Sequence, residues 1–342
     1  MIWWKLILIL LVAFSSSLLI TRFLVQFLTK KGMMDIPNDR SSHKIPTPRG
    51  GGMAIIISVV IAVLLLMIFY PEAPIPGWLF FLGAFIVTLT SFIDDKINLT
   101  ASLRFLLHAF AAGLIIYETG GFQAFPLPEP LSFELGWLGY PITFVWIVAV
   151  LNIYNFLDGI DGYAGSQAVI AGIAIAFLDI FGTGFYMGSI IAAAAVGFLV
   201  YNWHPAKIFM GDIGSATLGF VFASLPLYFT STSISIGIYA LIIFLWFFLS
   251  DGAFTIIRRA LAGEKIWEAH RSHLYQQLVI SGASHSKVVS MVMLSALVLS
   301  VIFIILYHYY YSLLYVTFVF AILFFIMYYM YVMHMKKKPG NN

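Results

Sequence analysis

The sequence of 342 residues contains no cysteine. Disulfides, thiolate metal centres and cysteine nucleophiles are therefore excluded. Charge is scarce as well. Asp, Glu, Lys and Arg together make 10% of the chain, against about 25% in a soluble domain. With 61% hydrophobic residues and a mean hydropathy of +0.97, the composition is that of a membrane protein. The net charge is only +3, so the positions of the charges matter more than their sum, and no nucleic-acid partner is expected. No internal repeat, low-complexity tract or heptad seam is visible.

What the chain does have is long apolar runs and abundant aromatics. The 32 Phe, 18 Tyr and 8 Trp supply lipid-facing surface and interfacial belts. Length alone would suggest two soluble domains. The repeated apolar runs argue instead for one bundle, because lipid requires every backbone polar group to be satisfied internally. The expected fold is all-α: a single polytopic transmembrane helix bundle over residues 1–335, with a basic tail over 336–342. The first run, Leu6 to Val25, is long enough to span, and no small-residue cleavage site clearly follows it. It reads as a retained helix, with cleavage as a minor alternative.

Eleven spans are expected, at roughly 4–28, 52–70, 78–93, 102–118, 141–156, 166–182, 186–202, 213–230, 234–251, 288–307 and 310–333. The weakest separations fall at His308–Tyr309 and at Gly182–Tyr186. All of the 18 basic residues except Lys5 fall in the odd-numbered loops, at helix ends beside them, or in the tail. The loop from Glu118 to Tyr140 has no Lys or Arg at all. The positive-inside rule then puts the N-terminus outside and the C-terminus in the cytoplasm, and an odd number of spans agrees. The expected location is the inner membrane of a bacterium, with the site on the cytoplasmic side.

Of the 15 carboxylates, Glu72, Glu118, Glu129, Glu134 and Asp179 fall on the outer side. Among the ten inner ones, Asp35, Asp39, Glu264 and Glu268 look like ordinary loop charges. The other six do not. Asp94 and Asp95 are adjacent at a membrane boundary, where their repulsion is tolerable if a cation or proton neutralises it. A plain helix terminus meeting water is the bland alternative. In the segment Asn152 to Gly165, Asn152 and Asn155 share a helix face, while Asp158 and Asp161 are each followed by Gly. That alternation suits a tight loop approaching a ligand, although an Asx/Gly turn would also produce it. The segment is not an EF-hand, since the acids are too few. Asp212, within Gly211-Asp212-Ile213-Gly214-Ser215, opens a span, where unpaired N–H groups attract anions. It would repel a phosphate unless a metal bridges the two, and it can also serve as an N-cap. Asp251 is a weak candidate.

Two further loops carry cations. His270-Arg271-Ser272-His273-Leu274-Tyr275-Gln276 suits phosphate better than zinc, which would need a third protein ligand; a solvated basic loop is the alternative. Arg40-Ser41-Ser42-His43-Lys44 leads to Pro48-Arg49-Gly50-Gly51-Gly52, a Gly-rich helix start of the kind that cradles phosphate, though not a Walker A sequence. Oxygen ligands with few nitrogens favour Mg²⁺, or Mn²⁺, over zinc. A metal joining carboxylates to a pyrophosphate uses all of these parts. A transporter of a phosphorylated solute is the alternative from another class, but it would place its charges near the midplane and often shows inverted repeats.

From about Asp35 to Gln276 these segments resemble the polyprenyl-phosphate N-acetylhexosamine-1-phosphate transferases, glycosyltransferase family 4, which include the phospho-MurNAc-pentapeptide translocase. The resemblance implies an enzyme that is a phosphotransferase. A UDP-N-acetyl sugar would donate sugar-1-phosphate to undecaprenyl phosphate in the membrane, releasing UMP. It also implies that Asp212 is a Mg²⁺ ligand with Asn155 beside the metal, and that Asp161 contacts the uridine base. One of Asp94 and Asp95 would orient or deprotonate the lipid phosphate. Arg49, His270, Arg271 and His273 would lie near diphosphate and sugar. Asp158 joins the catalytic candidates, and Asn152, Gly214 and Ser215 join the substrate-binding ones. The translocase has consecutive histidines where this chain has His270 to Gln276. The form is closer to the branch that starts O-antigen and related surface polysaccharides, with UDP-GlcNAc, UDP-FucNAc or UDP-QuiNAc as donor; phospho-MurNAc-pentapeptide transfer is the alternative. A homodimer is also entertained.

Overall fold

The computed structural model describes residues 3–37, 45–129, 131–265 and 270–337. The segment Arg40 to Lys44, together with Asp39, Glu268 and Lys338, lies outside the described residues. Within them the chain is almost wholly helical. Four helices carry the first half: α1 (Trp3–Lys30), α2 (Gly52–Phe69), α3 (Trp78–Ile97) and α4 (Ala101–Thr119). Four more follow: α5 (Gly139–Phe156), α6 (Tyr163–Leu178), α7 (Thr183–Asn202) and α8 (Asp212–Ser224). The last five are α9 (Ile234–Phe244), α10 (Trp246–Leu261), the short α11 (Leu274–Ile280), α12 (His285–Tyr309) and α13 (Val316–Lys336). A two-stranded ribbon, β1 (Met34–Asp35) antiparallel to β2 (Thr47–Pro48), lies between α1 and α2.

Eight of these helices are long and apolar enough to cross a membrane: α1 to α5, α7, α12 and α13. This is a multi-pass membrane protein. Each of the eleven expected spans has a helical counterpart, but three differ from a straight span. The stretch 234–251 is broken at Leu245, and α9 and α10 meet at a bend of 76°. Hydropathy cannot register such a break, because both halves are apolar. The stretch 213–230 is a 13-residue α-helix followed by a 3-10 turn over Leu225–Tyr228. Pro226 sits in that turn and can supply no N–H to prolong the α-helical ladder. The helix α6 has only 16 residues.

α8 is the centre of the bundle, and every residue from Ile213 to Ser224 is buried. It packs against α3 on one side and α5 on the other. Its small residues allow this, since Gly, Ala, Ser and Thr let helix backbones approach closely. Gly214 abuts Gly52 at the start of α2. A Cβ on Gly52 would fall 2.3 Å from the Cα of Gly214, so neither position admits a side chain without moving a helix. Gly214, expected to bind substrate, therefore sits in a helix–helix contact.

The two ends of the bundle use their acids differently. At the end bearing the 119–138 loop, Asp179 is fully buried and accepts the N–H groups of Gly184 and Ser231, both at 2.7 Å. Glu118 accepts from Leu79 N–H and Tyr228 hydroxyl. These acids tie turns together. At the other end the acids meet cations and one another.

Candidate active site

The site begins with a backbone joint. The Phe209 N–H donates to Pro48 O, and the N–H groups of Gly50 and Gly51 donate to Phe209 O. The Gly52 N–H donates to Met210 O at 2.8 Å. The first loop is thereby fastened along the α7–α8 loop, which brings Arg49 to Asp212. The joint also corrects one expectation. The amides of Gly50, Gly51 and Gly52 are consumed by carbonyls, so they form no phosphate cradle. The glycines serve the close approach of α2 to α8 instead.

Arg49 is the hub. Its Nη2 lies 2.6 Å from Asp212 Oδ1 and 3.4 Å from Asp95 Oδ1. Burial works against its charge, but Asp212 and Asp95 outweigh this and raise its pKa above the ordinary arginine value. The N–H of Ile213 at the start of α8 also faces the Asp95 carboxylate, an arrangement favoured by the helix dipole. Asp95 and Asp212 thus share one helix terminus and one cation.

Asp94 does something else. Its Oδ1 accepts the Leu99 N–H at 2.7 Å, and its Oδ2 pairs with Arg104 at 2.8 Å. It closes the α3–α4 turn and is itself buried. The adjacent pair, expected to need a cation or proton to neutralise it, is divided between two arginines. Arg104 was legible only as a lone cation in the first turn of an apolar helix.

Asn155, in the last turn of α5, meets α8 at Ser215, one turn along from Asp212. Ser215 Oγ donates to Asn155 Oδ1 at 2.6 Å and reaches Gly211 O at 3.2 Å. The carboxyl of Asp158, in the next turn, is pushed up to about 7 by burial and by Asp212 and Asp161, against the pull of Arg49. Asn152 points elsewhere and donates to Val148 O of its own helix at 2.7 Å. The donor set around Arg49 is all oxygen: two carboxylates, with an oriented amide oxygen nearby. That fits a hard divalent cation such as Mg²⁺, and the guanidinium already marks where positive charge is required.

The His270 to Gln276 segment joins this end through α11. Asp251, fully buried, accepts the N–H groups of Leu274 at 2.9 Å and Tyr275 at 3.1 Å, and lies 3.3 Å from His273 Nδ1. His273 is buried in that contact. His270 is half-exposed; burial, with His273 and Arg259 nearby, lowers its pKa to about 4. At neutral pH it is an uncharged imidazole, not a phosphate-binding cation. The Gln277 side chain donates to the Arg271 carbonyl at 2.7 Å. The segment reaches the acidic loop through Tyr275, whose hydroxyl would lie 2.2 Å from a Cβ on Gly159. The acid–Gly pattern read from the sequence has this close approach as one cause.

Between α1, α3 and the first loop lies a cavity of about 1070 Å³. One wall is apolar, with Leu24, Phe27 and Met53; the other carries Asp95, Arg49 and Asp212. The cavity is thus amphipathic, with the acid–arginine cluster as its polar part.

The profile of glycosyl transferase family 4 matches residues 77–232. A probable undecaprenyl-phosphate N-acetylglucosaminyl 1-phosphate transferase of Bacillus subtilis is 36% identical over 302 residues, covering 86% of this chain and 83% of that protein. The chain belongs to glycosyl transferase family 4. Within the family, a decaprenyl-phosphate N-acetylglucosaminephosphotransferase of Mycobacterium tuberculosis is 28% identical over 311 residues, 78% of this chain and 74% of that protein. A phospho-N-acetylmuramoyl-pentapeptide-transferase of Bacillus licheniformis is 33% identical over 227 residues, covering 60% of this chain and 69% of that protein. Similarity to the polyprenyl-phosphate N-acetylglucosamine transferases spans more of the chain, in keeping with the reading of the His270 to Gln276 segment. The family profile takes in Asp94, Asp95, the Asn152 to Asp161 segment and Asp212. Arg49, which joins two of those acids, lies outside it.

Proposed function

We propose that the protein transfers N-acetylhexosamine-1-phosphate from a UDP-sugar to undecaprenyl phosphate on the cytoplasmic face of a bacterial inner membrane, releasing UMP. The product would open the synthesis of a surface polysaccharide such as an O-antigen. Donors of the UDP-GlcNAc, UDP-FucNAc or UDP-QuiNAc type suit the His270 to Gln276 segment. The observation that carries this reading is the amphipathic cavity ending at Asp95, Arg49 and Asp212. A lipid phosphate has the same character: an apolar chain that belongs in the membrane and an anionic head that needs cations.

An oxygen of the lipid phosphate attacks the β-phosphorus of the donor. The bond from that phosphorus to the bridging oxygen breaks, and UMP departs with the electron pair. One phosphoanhydride replaces another, so positioning and charge neutralisation do most of the work. Asp212, Asn155 and Asp95 would hold Mg²⁺, which when bound would neutralise the diphosphate. Arg49 is placed to pass from the carboxylates to an arriving phosphate oxygen. Asp95 would face the reacting groups; Asp94, which also lines the cavity, is tied to Leu99 and Arg104 and holds the start of α4 in place.

Purified protein given undecaprenyl phosphate, Mg²⁺ and a panel of UDP-N-acetyl sugars should release UMP with at least one donor. Asp212→Asn should abolish release while expressing at the wild-type level. Competent protein that yields no UMP from any donor would overturn the reading, and a fully active Asp212→Asn would remove that residue from the site.

A further inference from the structure

Most charges at this end of the bundle are matched within the protein. Arg49 has Asp95 and Asp212, and Arg104 has Asp94. Asp161, in the α5–α6 loop, has partners of its own. Its Oδ2 lies 2.6 Å from His204 Nδ1 and accepts the Ala206 N–H at 3.2 Å, while its own N–H donates to His285 Nδ1 at 3.4 Å. One cation of the amphipathic cavity is not matched. Lys96, in the last turn of α3, lines the same cavity as Asp95 and Arg49. Among the described residues its ammonium meets no carboxylate. It rests instead on the face of Phe92, one turn earlier, with Nζ 3.9 Å from the ring centroid. At an exposed position such a contact is a weak hold.

Lys96 is exposed, as are Phe92 and Ile97 beside it. This turn of α3 lies where the apolar wall of the cavity, with Leu24 and Phe27, gives way to its acids. A lysine there can lay its stem on apolar surface and hold its charge at the level of the lipid headgroups. The cavity is lined by four carboxylates, Asp35, Asp94, Asp95 and Asp212, against three cations, Arg49, Lys96 and Arg104. An anionic head entering it is repelled unless a cation meets it first. The two arginines are already engaged by acids. Lys96 is a point charge on a flexible stem with three rotatable donors. It can leave a ring face for a phosphate oxygen, which gives a stronger, charge-assisted contact.

Resting on the reading above, in which this cavity receives the acceptor lipid, we propose that Lys96 captures the phosphate of that lipid at the membrane boundary and passes it towards Arg49. Its binding partner is a phosphate monoester on an apolar chain. Phe92 holds the ammonium at the cavity between captures. A lysine at this boundary can also serve only as an anchor among anionic phospholipids. The two roles differ in what they predict. Capture concerns one substrate of the two, whereas anchoring concerns the composition of the bilayer.

The test uses the full-length protein in nanodiscs of phosphatidylcholine, with and without phosphatidylglycerol. Lys96→Ala, Lys96→Gln and Lys96→Arg are compared with the wild type by UMP release, varying undecaprenyl phosphate and the UDP-sugar in turn. The two neutral variants should raise the KM for undecaprenyl phosphate about fivefold, the loss expected for one exposed ion pair. Their kcat and donor KM should stay near wild type, and Lys96→Arg should recover most of the loss. Added salt should move the wild-type acceptor KM towards that of Lys96→Gln and hardly move the variant. Should Lys96→Ala not fold, Lys96→Gln keeps the stem and removes only the charge. An unchanged acceptor KM in the neutral variants would overturn the proposal, as would a fall in kcat alone or an equal rise in donor KM. A defect seen with phosphatidylglycerol and absent from phosphatidylcholine alone would replace capture with anchoring. A wild type that releases UMP while its variants match it removes only the role of Lys96. A wild type that releases none from any donor removes the underlying reading as well.

Discussion

Burial, with Asp212 and Asp161 nearby, lifts the Asp158 carboxyl from the ordinary 3.8 to about 7, against the pull of Arg49. The sign of the consequence follows from linkage. The folded protein favours the protonated form, so the contribution to stability is complete below about pH 4 and is lost as the pH rises through 7. In the absence of substrate and metal, the apparent melting temperature of the wild type should fall between pH 5 and pH 8 more steeply than that of Asp158→Asn. Parallel curves for the two proteins would show that this carboxyl titrates normally. At this scale the sequence told much about which residues matter and little about whom they meet. Asp94 and Asp95 are adjacent, and only packing separates them, one to Arg104 and the other to Arg49. The three glycines at the start of α2 read as a phosphate cradle, and only the carbonyls of Phe209 and Met210, which take their N–H groups, show otherwise.

Elements are held by single buried acids. Asp251 in α10 accepts two backbone N–H groups from α11 and contacts His273. Hydrogen bonds to a charged group contribute about 1.5–3 kcal/mol each. Asp251→Ala should therefore cost about 3 kcal/mol or more, seen as a lower apparent melting temperature. Proteolysis should become faster near residue 273, because α11 has only seven residues and cannot persist alone. Unchanged stability would mean that α11 is anchored by other contacts. Run length located most elements in the sequence, because apolar runs of this length have few other readings. It could not locate the 76° bend at Leu245, since α9 and the start of α10 are apolar on both sides of it. Nor could it show that α8, one more apolar run among many, is the buried centre of the bundle.

For the whole molecule, the distribution of basic residues makes an orientation testable. The chain has no cysteine, so each introduced thiol reports alone. Gln123→Cys, in the loop between α4 and α5, should react in intact cells with a membrane-impermeant maleimide. Lys337→Cys, beyond α13, should react only after permeabilisation. The opposite pattern would invert the orientation and place the acid–arginine cluster outside. The all-helical fold and the grouping of acids were legible here because charge is costly in lipid and stands out against it. The amphipathic cavity was not, since its apolar wall on α1 and its charged wall on α3 and α8 meet only in three dimensions.

The contacts of the site join residues far apart in the chain: Arg49 to Asp212 across 163 positions, and Asp161 to His285 across 124. During synthesis, Asp212 emerges only after seven helices have been made, and His285 only with α12. A chain interrupted before α8 holds Arg49 with Asp95 but without Asp212, and one interrupted before α12 holds Asp161 without His285. Such a fragment would have no weakened form of the activity to exercise, so an incomplete chain would be inert in the membrane from the start.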